Sequence, residues 1–183
     1  MPRVRRGPTV AHYALLGLLH LAPAHGYELA RRLRADPGLR RVVALNPPML
    51  YALLHDLEAD GYVAGAAQPD TYPPRVLFRP TDAGADAFRR WLETPVERLR
   101  EVRNDFLLKL YFARSLAADR GLGLLERQIA AVERYIERTA AERDAADPGS
   151  FERLVLDSKV TAAKSTLRWL DRYRAVLAEA VAP

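Results

Sequence analysis

"NPPMLYALLHDLEADGYVAG", residues 46–65, carries Leu50, Leu53, Leu54 and Leu57 at i, i+3, i+4 and i+7. That spacing predicts a helix with one buried stripe. Asn46 supplies an N-cap, Pro47 suits the first turn, and Gly61 is placed to end the helix. The other side presents Pro48, Ala52, His55 and Ala59, with Tyr51 on its flank. This is neither a solvated run of Lys and Glu nor a second apolar stripe. One reading is an ordinary amphipathic helix with a sparse outer face. The other is a surface that something must approach closely. A DNA major groove, about 12 Å wide, admits a helix whose outward residues are small. Tyr51 and His55 would then bring polar tips to bases or phosphates, and Asn46 to Met49 would aim helix N–H groups at phosphate. Asp56, Glu58 and Asp60 repel DNA, so only the N-terminal half would enter.

Outward from this helix the pattern has a recognisable order. Thr9 caps a helix over "VAHYALLGLLHL", which is apolar nearly all round and therefore central to the core. "HGYELARRLRADPG" forms a second helix, Leu29 and Leu33 inward, Arg31, Arg32 and Arg34 outward, stopping at Asp36-Pro37-Gly38. After the third helix, Tyr62 and Val63 begin a strand and "RVLFR" (75–79) alternates as another. Between them "GAAQPDTYPP" holds three prolines, which cannot sit inside a paired ladder, so it reads as a long stiffened hairpin tip. Thr81 caps the next helix, "DAGADAFRRWLE". Three helices and a hairpin in this order predict a winged helix-turn-helix over residues 1–92. Arg75 and Arg79 flank the second strand, and Tyr72 with Pro73 and Pro74 stiffens the tip. A rigid loop ending in Arg suits phosphate or minor-groove contact; a solvated hairpin tip is the plainer alternative.

Residues 93–183 are helical throughout. Leu125, Ile129, Val132, Ile136 and Ala140 keep near-heptad spacing, as do Leu156, Val160, Ala163, Leu167, Leu170 and Leu177 after a break at "DPGS" (147–150). Two such helices form an antiparallel hairpin too thin to stand alone. A second copy of the chain is the simplest cover; packing against the first domain is the rival. The fold class is thus mainly α, a winged helix-turn-helix followed by an all-α dimerisation and effector-response arm.

Composition narrows the class further. In 183 residues, 49% apolar and 28% charged side chains describe a globular protein. Cysteine is absent, which excludes disulfides and thiolate metal sites. The apolar stretch from Tyr13 to Leu21 is too short to span a bilayer and carries no cleavage signal, so the chain reads as cytoplasmic, with no membrane partner. The net charge of +5 favours an anionic partner only weakly. Arg3, Arg5 and Arg6 concentrate charge in an N-terminal arm, although the general use of Arg over Lys also fits a GC-rich genome.

"ALLGLLHLAPAHGYELARRL", "PPMLYALLHDLEADGYV" and "PPRVLFRPTDAGADAFRRWL" together resemble the PadR family of bacterial transcriptional regulators, named for control of phenolic-acid decarboxylase. The shared features are His-Gly-Tyr-Glu in the second helix, Leu-Tyr in the third, the Leu-Glu-x-x-Gly-Tyr-Val exit, and Thr-x-x-Gly after the wing. The second half is similar in pattern to the C-terminal helices of the larger subgroup, shared with virulence-activator regulators. The resemblance implies a homodimeric, mostly repressing, DNA-binding protein. By position, Tyr51 is the recognition-helix tyrosine, His25, Tyr27 and Glu28 open the helix abutting the phosphate backbone, and Pro74-Arg75 is the wing's Pro-Arg. Family members often have Gly where Pro48 stands, Pro where Ala52 stands, and a basic residue where Val76 stands.

Nothing in the chain reads as catalytic. His12, His20, His25 and His55 lack the i, i+4 pairing with a nearby carboxylate that a zinc site uses, and there is no nucleophile motif or phosphate loop. No metal, cofactor or enzymatic activity is expected. Aromatic residues gather at Tyr13, Trp91, Phe106, Tyr111 and Phe112, then at Trp169 and Tyr173. They are core and dimer interface, or they line a pocket for a small aromatic effector whose carboxylate pairs with Arg103. The residues and the resemblance together lead us to expect a dimeric, sequence-specific regulator of a double-stranded operator, which the resemblance implies is a repressor relieved by a small molecule. Its DNA contacts would be Asn46, Tyr51, His55, Arg75, Arg79, His25, Tyr27, Arg5 and Arg6. A winged helix that binds proteins instead of DNA is the alternative.

Overall fold

The computed structural model describes residues 7–68 and 75–181. These form two compact units, Met1–Glu93 with Leu107–Phe112, and Thr94–Phe106 with Ala113–Pro183. The arm residues Arg3, Arg5 and Arg6 and the hairpin tip with Tyr72, Pro73 and Pro74 lie outside the described residues.

The first unit runs α1 (Val10–Leu21), β1 (Ala24–His25), α2 (Gly26–Ala35), α3 (Pro37–Val42), α4 (Pro47–Ala59), β2 (Val63–Gln68), β3 (Arg75–Pro80) and α5 (Asp82–Glu93). As its composition requires, α1 is buried from Ala14 to Leu19 and packs against α4, α5 and β3. The Phe112 ring lies against Gly17, where any Cβ would run into it. α4 buries Leu50, Leu54 and Leu57 as expected, while Leu53 is only half-buried at the edge of the stripe. Each fully buried leucine contributes roughly 1.5–3 kcal/mol.

Several local readings change. Asp36-Pro37 does end α2, but it also starts α3: Asp36 Oδ1 accepts the Leu39 N–H at 2.8 Å, with Pro37 in the first turn. Arg32 does not point outward; its Nη1 donates to the Ala22 carbonyl at 3.1 Å. β2 continues through Gly65 to Gln68, so the first four residues of the supposed loop are paired strand. β1, only two residues long, pairs with β3 and makes the sheet three-stranded, in the order β1-β3-β2.

Two motifs that flank the hairpin in sequence meet at the exit of α4. Gly61 takes φ +77, the left-handed conformation that suits a helix end. Thr81 Oγ1 donates to the Gly61 carbonyl at 2.6 Å and accepts the Gly84 N–H at 3.1 Å, capping α5. Gly84 lies so close to the Tyr62 carbonyl that a Cβ would overlap it. The Gly-Tyr-Val and Thr-x-x-Gly segments are therefore two halves of one joint.

In the second unit, buried Gln128 clips the backbone of Val96 from both sides, accepting its N–H at 2.8 Å and donating to its carbonyl at 2.9 Å. The chain passes through α6 (Leu99–Glu101) and a π turn at Val102–Phe106 before α7 (Leu107–Leu116). α8 (Ala118–Ala145) and α9 (Phe151–Val181) then pack along their length. Of the predicted heptad positions, Leu125, Ile129, Val132, Leu156, Val160, Ala163, Leu170 and Leu177 are buried, whereas Ile136, Ala140 and Leu167 are only half-buried. Gly149, at φ +86, turns the chain, and Arg153 Nη1 donates to the Arg143 and Ala146 carbonyls left open at the end of α8. α9 also has an outward apolar row, with Phe151, Leu154, Trp169 and Val176 exposed.

Candidate nucleic-acid interface

The exposed face of the first unit is assembled around the junction of β1 and α2. His25 is the N-cap of α2; its N–H donates to Glu28 Oε2 at 2.9 Å. That bond holds the Glu28 carboxyl below the ordinary carboxylate range. His25 Nδ1 lies 3.0 Å from the Val76 carbonyl and thereby ties α2 to β3. The next residue, Gly26, is buried beneath the Tyr51 ring; a Cβ there would lie 2.5 Å from a ring carbon and 3.1 Å from the phenol oxygen. Tyr27 follows, stacked on His25 with centroids 5.8 Å apart. Arg75 lies over the Tyr27 ring at 5.2 Å, and its Nη1 donates to the Tyr27 hydroxyl at 3.2 Å.

Tyr51, His25, Tyr27 and Arg75 are thus one connected set, drawn from α4, β1, α2 and β3. Tyr51 is half exposed, and Pro48, Met49, Ala52, His55 and Ala59 are exposed with it along α4. Asn46 Oδ1 accepts the Met49 N–H at 2.9 Å, so this residue caps α4. His55 lies one turn beyond Tyr51, and Arg79 is exposed on β3.

Arg31 and Arg34 on α2, Arg40 and Arg41 on α3, and Arg75 and Arg79 on β3 have no carboxylate within ion-pair distance among the described residues. Elsewhere Arg89, Arg98, Arg143 and Arg174 are paired with acids, while Arg100, Arg103, Arg134, Arg138, Arg168 and Arg172 have no carboxylate within ion-pair distance among the described residues. Arg40 and Arg41 were not identified from sequence because α3 itself was not.

The acids at the end of α4 have structural partners. Glu58 Oε1 accepts the Gly65 N–H at 3.0 Å, satisfying an amide on the edge strand β2. Asp56 Oδ2 lies 3.9 Å from His12 Nε2. His12 Nδ1 accepts the Thr9 N–H at 3.1 Å, and burial holds its imidazole pKa below the ordinary value against the opposing pull of Asp56 and Asp60.

The residues singled out for an effector divide between the units. In the first, Tyr13 stacks on Trp91 at 4.5 Å, with buried Lys109 5.3 Å from the Trp91 ring on its Nζ. Tyr111 borders an open groove of about 580 Å³ that also touches Leu18, Leu21, Arg32, Asp36 and Pro37. Burial, then Asp36, pushes the Tyr111 phenol upward. Phe106 is buried in the second unit, edge-on to Trp169, and Arg103 is exposed there. Among the described residues no cluster of three or more His, Asp or Glu side chains could hold a metal ion. No helix among them is long and apolar enough to cross a membrane.

Residues 15–90 match the model of the transcriptional regulator PadR-like family, and residues 102–178 match that of the virulence activator alpha C-terminal region. The negative transcriptional regulator PadR of Bacillus subtilis (strain 168) is 22% identical over 179 residues, covering 92% of this chain and 97% of its own. Solved structures similar to this chain include B. subtilis PadR in complex with operator DNA, at 22% identity, 93% and 99% coverage of the two chains and TM-score 0.47. Another is the same protein with p-coumaric acid, at 22% identity, 92% and 99% coverage and TM-score 0.43. The first half of the chain is thus a PadR-like transcriptional regulator region, and it is followed by a virulence-activator-type C-terminal region.

Proposed function

We propose that this regulator binds a near-palindromic operator as a homodimer in the cytoplasm, represses transcription, and catalyses no reaction of its own. The observation that carries the reading is the connected set of Tyr51, His25, Tyr27 and Arg75, in which Arg75 has no carboxylate partner among the described residues. Unpaired guanidinium groups on one face are what phosphate recognition needs. Small residues at Ala52 and Ala59 allow α4 to approach base edges, with Tyr51 and His55 reaching them and Asn46 at the helix entrance. Arg75 and Arg79 would hold phosphates beside the hairpin, and Arg5 and Arg6 would extend the contact from the N-terminal arm. Residues 1–92 act as the reading head and 93–183 as the dimerisation and response arm. The outward apolar row on α9 supports pairing through these helices.

A small aromatic effector is proposed to weaken operator binding by preferring another spacing of the two heads. Tyr13, Trp91 and Tyr111 share the first unit, whereas Arg103 and Phe106 do not; the surface proposed for the effector is the groove beside Tyr111.

The test is an anisotropy titration of the protein against a labelled duplex from its own upstream region and against an unrelated duplex, each at two salt concentrations. Tight binding that prefers the upstream duplex and weakens steeply with salt is expected. Failure to bind either duplex at low salt would favour a protein-binding adaptor.

A further inference from the structure

We propose that two copies of this chain pair antiparallel through α9, about a two-fold axis that passes between Thr161 and Ala162. The inference rests on the homodimer reading and gives that dimer its seam, its direction and its register.

α9 has two faces of different chemistry. Leu156, Val160, Ala163 and Leu170 are buried in the hairpin with α8. On the opposite side, at about 3.6 residues per turn, the exposed row from Phe151 to Val176 occupies an arc of about 100° and holds a single charge, Arg172. A solvated helix face carries Lys and Glu; loss of charge around aromatic and aliphatic side chains marks a surface that is covered.

The row is built alike from either end. Phe151 and Leu154 stand at one end and Trp169 and Arg172 at the other, with only Ser158, Thr161, Ala162 and Ser165 between them. A two-fold axis perpendicular to α9 at Thr161 and Ala162 pairs residues equally distant from it. Leu154 then meets the partner's Trp169, a ring already held by stacking on Tyr173 at 6.0 Å. Phe151 meets the partner's Arg172, a guanidinium over a ring face. The small residues meet in the middle and let the helix axes approach to about 8 Å. Burial strands no donor at Ser158, whose hydroxyl donates to the Val155 carbonyl at 2.8 Å and can still accept from the partner's Ser165.

Charge sets the direction. Asp157, Lys164 and Arg168 are exposed along one flank of the row. Asp157 meets Arg143 at 3.3 Å, whereas Lys164 and Arg168 have no carboxylate within ion-pair distance among the described residues. In the antiparallel pair this flank meets its own copy reversed, so Asp157 falls between the partner's Lys164 and the partner's Arg168. Such rim pairs add little affinity but select orientation. A parallel, in-register pair would press Arg172 against the partner's Arg172 inside the seam, where like charges repel.

The chain has no cysteine, so a single introduced thiol can bridge only to the same position of another copy. Ala162→Cys lies beside the axis and should give a disulfide-linked dimer when the purified full chain is mildly oxidised. Ser158→Cys and Ser165→Cys should each stay unlinked, since each lies about 10 Å along the helix from its own copy. Coexpressed, the two variants should link to each other. A disulfide in Ser158→Cys alone would mean parallel pairing and overturn the proposal. An unlinked Ala162→Cys protein that still sediments as a dimer would overturn it while leaving the homodimer reading intact. A wild-type chain that sediments as a monomer would remove both.

Discussion

Tyr51 packs directly on Gly26, a contact between α4 and the first turn of α2 that leaves no room for a Cβ at residue 26. The orientation of the tyrosine is therefore set by a neighbour with no side chain. Gly26→Ala should displace the ring, lower stability by about 1–3 kcal/mol, as overpacking does, and weaken operator binding. In a Tyr51→Ala background the same substitution should be close to neutral. A double-mutant cycle read by urea denaturation and by duplex affinity measures this; additive effects would contradict the contact.

Two other glycines should respond with opposite signs. Gly84→Ala places a methyl against the backbone carbonyl of Tyr62, which cannot rotate away, and should destabilise by about 3 kcal/mol or more. Gly123, inside α8, would put its Cβ no closer than 3.5 Å to the end of Arg127. Gly123→Ala should stabilise by about 0.5–1 kcal/mol through helix propensity. Chemical denaturation midpoints of the two variants check both.

Arg75 is held in place by Tyr27 through both the ring face and the hydroxyl. Arg75→Ala should weaken binding to upstream and unrelated duplexes alike and reduce the salt slope by about one per protomer. Tyr27→Phe keeps the ring and removes the hydroxyl, so its loss should be smaller and its salt slope unchanged. Tyr51→Ala should instead reduce the preference for the upstream duplex. The three sets of salt-dependent isotherms distinguish these roles.

His12 predicts a pH dependence of stability. Its folded pKa is depressed by burial below the ordinary 6.5. The stability it contributes is present above that unfolded value and is lost as pH falls through the lower folded one. Protonation also removes the lone pair that accepts the Thr9 amide. Urea midpoints of the wild type should decline between about pH 6.5 and about 5 more than those of His12→Gln.

Leu154 and Val176 are 65% and 54% exposed on the outward row of α9. Leu154→Glu with Val176→Glu should leave the α8–α9 hairpin folded, since neither residue is among its buried positions, and convert a dimer to a monomer. Sedimentation velocity reports this; an unchanged mass would place the dimer contact elsewhere.

Long-period elements were legible in the sequence because their periodicity is repeated many times: α1, α4, α5 and the α8–α9 seam follow from spacing and caps alone. α3 was not, because six residues hold too few turns to show a period and Asp36-Pro37-Gly38 reads equally as a stop. β1 is too short to alternate. The π turn at Val102–Phe106 has no residue signature. At the candidate site, sequence singled out Tyr51, His25, Tyr27 and Arg75 but not what connects them. Gly26 matters through a tertiary contact, and Glu58 looked like an acid facing DNA because nothing local reveals that it serves the edge of β2.

The central claim is that two copies of this face read one duplex. Hydroxyl-radical footprinting on the upstream fragment tests it most directly. Two protected windows should appear, their centres about 10–10.5 base pairs or a multiple apart, and both should disappear with Tyr51→Ala. A single window, or two windows untouched by that substitution, would contradict the account.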